Sequence, residues 1–335
     1  MTGTFIISLD FELMWGVRDK RTIETYGDAI KNVHIIIPEL IEVAKKYNIK
    51  FTFCSVGFLF NQTKSKLLEN IPKEIPTYTD NNLSPYGHYL DSLGADEEAD
   101  PYHFGFSLID LIKSSHVHEI GTHTYCHYFA LEPGQTKSQF ANDIKVACKL
   151  AADNEIKLKS IVFPRNQINL DYLSVLSDHG ITSFRGTEFS WLYKPRAGHT
   201  NSKIHKFLRL TRRILRLLDA YIPISGSNCY DINKLEKVND LWNLPSSRLL
   251  RPFSKKLQLL EILKLNRIKN DMTYAAVNGK MYHLWWHPHN FGRNMRENIN
   301  FLESIFKHYK GLNEKYSFSS ITMHEMAEVL EKKTR

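Results

Sequence analysis

The chain has 335 residues, of which 42% are hydrophobic and 24% charged, with few glycines and prolines. This excludes a disordered, collagenous or low-complexity protein, and a chain this long can bury roughly three quarters of its unfolded surface without a disulfide or metal staple. The net charge of +8 leaves three kinds of acidic partner open, namely nucleic acid, an anionic membrane or a phosphorylated small molecule.

The N-terminal run MTGTFIISLDFE lacks a basic region and is broken by Asp10 and Glu12, so it does not read as a signal peptide. No stretch approaches the ~18 consecutive apolar residues of a membrane span. The four cysteines (Cys54, Cys126, Cys148 and Cys229) form no disulfide framework and have no zinc-finger spacing, which fits a reducing, cytoplasmic compartment.

In chain order, β-branched and aromatic runs predict a strand at Thr4–Glu12, a helix at Asp28–Tyr47 and a strand at Lys50–Val56. A long polar excursion follows at Pro72–His103, with an acidic patch at Asp96, Glu97, Glu98 and Asp100. Strands are then expected at Glu119–His123, Lys159–Pro164, Ile181–Arg185, Leu241–Leu244 and Lys280–His287. Helices are expected at Ser138–Asn154, Asn169–His179, Ile204–Leu218 and Arg293–Tyr309. Such alternation predicts βαβ units around a parallel sheet. Seven strands favour a closed or nearly closed β/α barrel over an open doubly wound sheet. No glycine-rich phosphate loop follows any strand, which weighs against dinucleotides and nucleoside triphosphates. No repeat or linker divides the chain, so residues 1–335 read as a single domain.

The residues able to carry chemistry cluster at strand ends. Asp10 and Glu12 lie two apart and face the same way, an unfavourable pairing on a buried strand unless a cation or proton sits between them. In HTYCH, His123 and His127 stand four apart, the spacing by which zinc hydrolases hold their metal on one side of a helical turn. Cys126 between them reads as core packing. Arg165 follows Pro164 at the end of the fourth strand, either as a site residue or as a surface arginine after a turn. In MYHLWWHPHNFG, Trp285, Trp286, His287 and His289 crowd the end of the last strand, where paired aromatics beside histidine suit a sugar ring or an acetyl group. Asp10, Glu12, His123, His127, Arg165 and His287 all fall at the C-terminal ends of predicted strands, the face on which β/α barrels build active sites.

The order of these motifs resembles the polysaccharide deacetylase superfamily, carbohydrate esterase family 4 and its relatives, on a divergent branch with a spaced Asp-x-Glu acidic pair. HTYCH at 123–127 matches the family's His-(Ser/Thr)-x-x-His motif. LWWH at Leu284–His287 is similar to its Leu-x-(aliphatic)-His motif, and FTFCSVG at Phe51–Gly57 looks like its second strand. The resemblance runs from Thr4 to about Gly292. It implies an α/β fold, a distorted (β/α)7 barrel, and a divalent metal, zinc above all, held by Glu12, His123 and His127. It also implies Asp10 as general base, with the reverse assignment of Asp10 and Glu12 as the alternative, Arg165 orienting the base, and His287 as general acid. Trp285, Trp286, His289 and Tyr125 are expected to meet the substrate. The implied reaction is removal of an N-acyl group, acetyl first, from an amino sugar of a glycan or lipid-linked precursor. The alternatives are an N-deformylase using the same site or a catalytically silent sugar-binding relative.

Two expectations concern the surface. The aromatic and histidine side chains of the long excursion (Tyr86, His88, Tyr89, Tyr102, His103 and Phe104) either fold over the site and contact the sugar or pack as a surface excursion. Lys203, Lys206, Arg209, Arg212, Arg213 and Arg216 lie on a helix over 203–218 whose apolar stripe is Phe207, Leu208, Ile214, Leu215 and Leu218. Such a basic amphipathic helix either clads a barrel or lies on an anionic bilayer, at the inner membrane face for a cytoplasmic enzyme. No basic helix is interleaved with base-stacking aromatics, so nucleic acid is not an expected partner.

Overall fold

The computed structural model describes residues 2–193 and 203–334, with the side chains of 203–209 outside that description. Lys203, Lys206, Phe207, Leu208 and Arg209, expected to shape one helix face, therefore lie outside the described side chains.

The centre of the molecule is a parallel sheet of strands β1 (Thr4–Phe11), β2 (Thr52–Ser55), β3 (Glu119–Thr122), β4 (Ser160–Ile161), β5 (Ser183–Phe184), β6 (Leu241–Asn243), β7 (Arg248–Leu249) and β8 (Lys280–Trp286). The sheet runs β8-β1-β2-β3-β4-β5-β6, with every neighbouring pair parallel. The stretch from 241 to 250 changes partners along its length. Trp242 and Leu244 donate to the carbonyls of Thr182 and Phe184, whereas Ser247 and Leu250 donate to those of His283 and Trp285. That switch carries the sheet from β5 round to β8, where β7 pairs in parallel. The result is the expected seven-position barrel.

Every residue of β1 is buried, because a central parallel strand is covered on both faces. Phe5, Ile7, Leu9 and Phe11 pack outward on the helices, while Ile6 packs in the bore with Cys54, Val162, Trp242 and Met281. Above this apolar layer the bore turns polar. Ser8 meets His283 at 2.9 Å, and Ser160 meets Ser183 at 2.9 Å. Asp10 and Arg185 form the next layer up. The strands thus grade the bore from apolar at one end to charged at the C-terminal rim.

β4 and β5 are shorter than expected. Val162 and Arg185 still donate to the neighbouring strand, but Pro164 has no N–H, and Arg165 and Asn166 turn into left-handed conformations at φ 55° and 53°. The expected helix at Asp28–Tyr47 divides at Asn32 into Ile23–Lys31 and Val33–Tyr47. The helix Lys137–Asp153 begins at a capping box in which Thr136 and Gln139 satisfy each other's backbone N–H groups. Its inward face carries Asp143, which shapes the site described below.

The excursion at 72–103 is tied down. Arg18 donates to the carbonyls of Asn82 and Leu83. His103 bridges Asp100, at 2.9 Å, and the Tyr89 hydroxyl, at 2.7 Å, while its carbonyl accepts from the Trp15 indole. Tyr86, Leu90 and Leu93 join the core around Phe58. The excursion's aromatics are mostly used in packing, and only His88 stands fully out.

Candidate metal and acid-base site

Three side chains converge at the rim. Glu12, just beyond β1, places Oε2 3.3 Å from His123 Nε2 and 3.2 Å from His127 Nε2, and all three residues are buried. His123 sits at the end of β3, and its Nδ1 lies 2.8 Å from the Val162 carbonyl, which can only accept. The ring proton is therefore on Nδ1, and Nε2 turns a lone pair toward Glu12.

His127 reaches the same point by another route than a helical turn. The HTYCH segment is a loop with Thr124 at φ 65° and His127 at φ 61°. It is held by the Asp143 carboxylate, which accepts the N–H groups of Tyr125, at 2.6 Å, and Cys126, at 3.1 Å. The Thr124 hydroxyl accepts the Tyr128 N–H. The two imidazoles end 5.0 Å apart. Cys126 is buried in the core cluster.

Burial favours a neutral Glu12, but the charge of His287 and the close approach of His123 and His127 outweigh it and hold the carboxyl well below its usual range. Burial pushes His127 down to about 4, against the pull of Glu12. A carboxylate and imidazole lone pairs facing one another across little more than 3 Å repel unless a cation lies among them. Glu12 and His127 are also in the protonation states a divalent ion requires. The chemistry of this donor set fits zinc or a similar ion.

Room for the Glu12 carboxylate depends on Gly16 in the following turn, where a Cβ would stand 1.9 Å from Glu12 Cδ. Gly16→Ala is therefore expected to push the carboxylate out of place and weaken zinc binding about 10- to 100-fold, the usual effect of disturbing a ligand's support. Equilibrium dialysis with unchanged affinity would show that Glu12 has room to move.

Asp10 is one layer lower and also buried. Arg185, fully buried at the end of β5, grips it with two hydrogen bonds of 2.6 and 2.8 Å and also donates to Ser8. Burial raises the Asp10 carboxyl, but Arg185 and His287 more than compensate and leave it below its ordinary value. Ser8 in turn meets His283, which burial and the Arg185 charge push down to about 3. His283 is thus neutral and donates from Nδ1 to the Leu244 carbonyl.

His287 is the most open of the group. Its Nε2 lies 3.6 Å from Asp10 Oδ2 and 3.7 Å from Glu12 Oε1, and its side chain is 26% exposed. His289 stacks on it with ring centroids 5.1 Å apart and points Nδ1 at Glu12 from 3.8 Å.

The remaining expected residues divide. Arg165 does not orient Asp10. The left-handed turn after Pro164 aims it at Asp19, with its guanidinium 4.0 Å above the Phe129 ring that abuts His127. Arg185 holds Asp10 instead. Its signal was its place at the end of the fifth predicted strand, on the rim shared by the other site residues. Trp285 faces the bore, with Arg185 4.1 Å from its ring. Strand alternation sends Trp286 outward to stack on Phe291 in the core. Tyr125 is fully buried against Phe58, its hydroxyl taken by Asn61. Neither Trp286 nor Tyr125 is placed to touch a substrate.

No family model and no curated protein matches the sequence. Among solved structures, a Mycobacterium smegmatis protein described as a polysaccharide deacetylase aligns with 100% of the chain and 92% of its own, at 12% identity and a TM-score of 0.59. A Pseudomonas aeruginosa PAO1 protein, also described as a polysaccharide deacetylase, aligns over 98% of this chain and 91% of that one, at 10% identity and a TM-score of 0.55. PuuE allantoinase aligns over 97% and 89%, at 9% identity and a TM-score of 0.54. At these identities the likeness is one of architecture, and by that measure the chain has the single-domain β/α barrel fold of the polysaccharide deacetylase type.

Proposed function

We propose that the chain is a metal-dependent carbohydrate N-deacylase that removes an acetyl group from an amino sugar. The convergence of Glu12, His123 and His127 beside an arginine-held Asp10 and an accessible His287 carries this reading. A divalent ion held by those three side chains would polarise the amide carbonyl and bring water toward ionisation near neutral pH.

The chain's own groups supply the rest. Asp10 Oδ2 faces the rim and takes the proton of the attacking water, while Arg185 keeps the carboxylate ionised and fixed beforehand. His287 Nε2, on the solvent side of both carboxylates, gives a proton to the departing amine as the C–N bond breaks, and the acyl carbon leaves as a carboxylic acid. Trp285 and the His287–His289 stack offer ring faces for the sugar.

Amine release from N-acetylglucosamine-containing substrates, with the metal content measured alongside, tests the assignment. Asp10→Asn and His287→Ala are each expected to lower kcat by about 10²–10⁴, the usual share of a general base or acid. Wild-type rates in both variants would remove the mechanism. Bound metal without any amine release would favour a silent sugar-binding relative, and release from N-formyl sugars alone would change the acyl group.

The helix Lys203–Leu218 supports a membrane setting for the substrate. On its described part Leu210, Ile214, Leu217 and Leu218 are exposed beside an exposed Arg213. An apolar stripe left in water beside cations supports contact with an anionic bilayer and a lipid-linked amino sugar at the cytoplasmic face. No helix among the described residues is long and apolar enough to cross a membrane. Sedimentation is expected with phosphatidylglycerol vesicles and not with phosphatidylcholine vesicles, and Arg213→Glu with Ile214→Asp should abolish it. Equal, negligible binding to both would leave the helix as barrel cladding and the substrate soluble.

A further inference from the structure

A cavity of about 370 Å³ has in its lining Trp285, whose ring lies 5.7 Å from that of His287. Its inner wall is Trp285, which stacks on Arg185, and Asn166, whose side-chain oxygen accepts from Arg185 at 3.2 Å. Its lining also includes four arginines, Arg165, Arg216, Arg248 and Arg251.

These four arginines are not equally compensated. Arg165 is paired with Asp19. Arg248 is paired with Asp271 at 2.9 Å and Asp219 at 3.6 Å. Arg216 and Arg251 have no carboxylate within 4.0 Å among the described residues. Arg216 donates from Nε to the Leu192 carbonyl at 3.2 Å and packs over the Tyr193 ring. Arg251 donates from one Nη to the Arg216 carbonyl at 3.3 Å. Burial lowers Arg251, and the charge of Arg216 acts in the same direction, against the weaker pull of Tyr193, Tyr221 and Asp219. The one carboxyl in the described lining, Glu188, is pushed up by burial, toward its neutral form.

Two neighbouring, partly desolvated guanidiniums with no carboxylate in contact form an unfavourable arrangement that an anion relieves. Planar guanidinium forks suit phosphate oxygens, which can accept two hydrogen bonds from each. Two uncompensated charges call for a dianion, which a phosphate monoester or diphosphate supplies and a sugar carboxylate does not. The helix bearing Arg216 is also the one with the exposed apolar stripe, so one helix borders both the cavity and that surface.

We infer that this cavity binds the phosphate or diphosphate group of the amino sugar whose acyl group is presented to Asp10 and His287. Where the sugar is cut rests on the function proposed above; the anion site does not.

Titration calorimetry of the full chain with inorganic pyrophosphate tests the anion site alone. Saturable binding is expected, weakened at least tenfold in Arg216→Gln/Arg251→Gln and unchanged in Arg213→Gln on the exposed side of the same helix. Should the double variant fail to fold, Arg251→Gln alone is expected to weaken binding several-fold, and Arg251→Lys less. No pyrophosphate binding, binding indifferent to these arginines, or glucuronate bound as tightly would overturn the inference.

Rates then separate the two readings. N-acetylglucosamine 1-phosphate should exceed N-acetylglucosamine in kcat/KM at least tenfold, with the advantage lost in the double variant. Equal rates would sink the phosphate site and leave the deacylase intact. Arginine-dependent pyrophosphate binding without hydrolysis of either sugar would sink the deacylase and leave the site. A diphosphate-linked N-acetylglucosamine lipid in phosphatidylcholine vesicles, compared with the soluble phosphate, identifies the source of the same group by the higher kcat/KM.

Discussion

Glu12→Gln is expected to leave a folded protein that binds zinc at least 100-fold more weakly and hydrolyses amides about 10³-fold more slowly. The substitution keeps the shape of a side chain that is 4% exposed, so packing should survive. It removes the one negative charge facing His123 Nε2 and His127 Nε2, at 3.3 and 3.2 Å. Losing one anionic ligand of three costs several kcal/mol of electrostatic stabilisation, and each 1.36 kcal/mol is about tenfold in rate. Metal content after dialysis and amine release measure the two effects. Unchanged zinc affinity would place the metal elsewhere, and retained activity would remove Glu12 from the reaction.

The same cluster sets a pH dependence in the metal-free protein. His127 is held down to about 4 when folded, against an ordinary imidazole value near 6.5. Between those values the unfolded chain binds a proton that the folded chain does not, so stability rises with pH across this window and is fully present above it. Acidification should therefore weaken folding and ligation together.

Much of this arrangement was legible in the sequence, and the exceptions have physical causes. Seven strand positions were visible because buried parallel strands are nearly continuous apolar runs, as in TFIISLDF at β1. The helix Glu261–Val277 was not. Its buried side includes Glu261, Lys264, Arg267 and Asp271, so charge stands where periodicity requires apolar residues. Glu261 and Lys264 pair with each other, and the other two are neutralised by partners distant in sequence, Asp271 by Arg248 and Arg267 by Asp219. Glu12, His123 and His127 could be paired by motif because Glu12 and His123 sit at strand ends and His127 follows four residues later in the same HTYCH run. Arg185 could not be told from Arg165 in the same way. Both follow short strands at the rim, and only the left-handed turn at Arg165–Asn166 sends one outward and leaves the other facing Asp10.

That choice of arginine leads to the second large effect. Arg185→Met is expected to destabilise the protein by about 3–5 kcal/mol, the usual result of removing one partner from a buried ion pair. Asp10 would be left with its burial and without the two hydrogen bonds that now compensate it, while Arg165 stays committed to Asp19. The pH dependence should change sign with it. In the wild type the folded carboxyl lies below its ordinary value, so Asp10 contributes stability above that value and loses it as pH falls through the folded one. In Arg185→Met burial acts with less opposition, the folded value rises above the unfolded one, and stability instead declines as pH increases past about 4. Asp10→Asn in the same background removes the buried charge and should recover much of the loss. A double-mutant cycle by urea unfolding at several pH values measures this coupling. The acid limb of the pH–rate profile should move to higher pH in Arg185→Met, because a less compensated base ionises later. Destabilisation below about 0.5 kcal/mol, the range of an ordinary surface substitution, would mean that Asp10 is satisfied without Arg185. An unmoved acid limb would separate Asp10 from the rate-controlling ionisation.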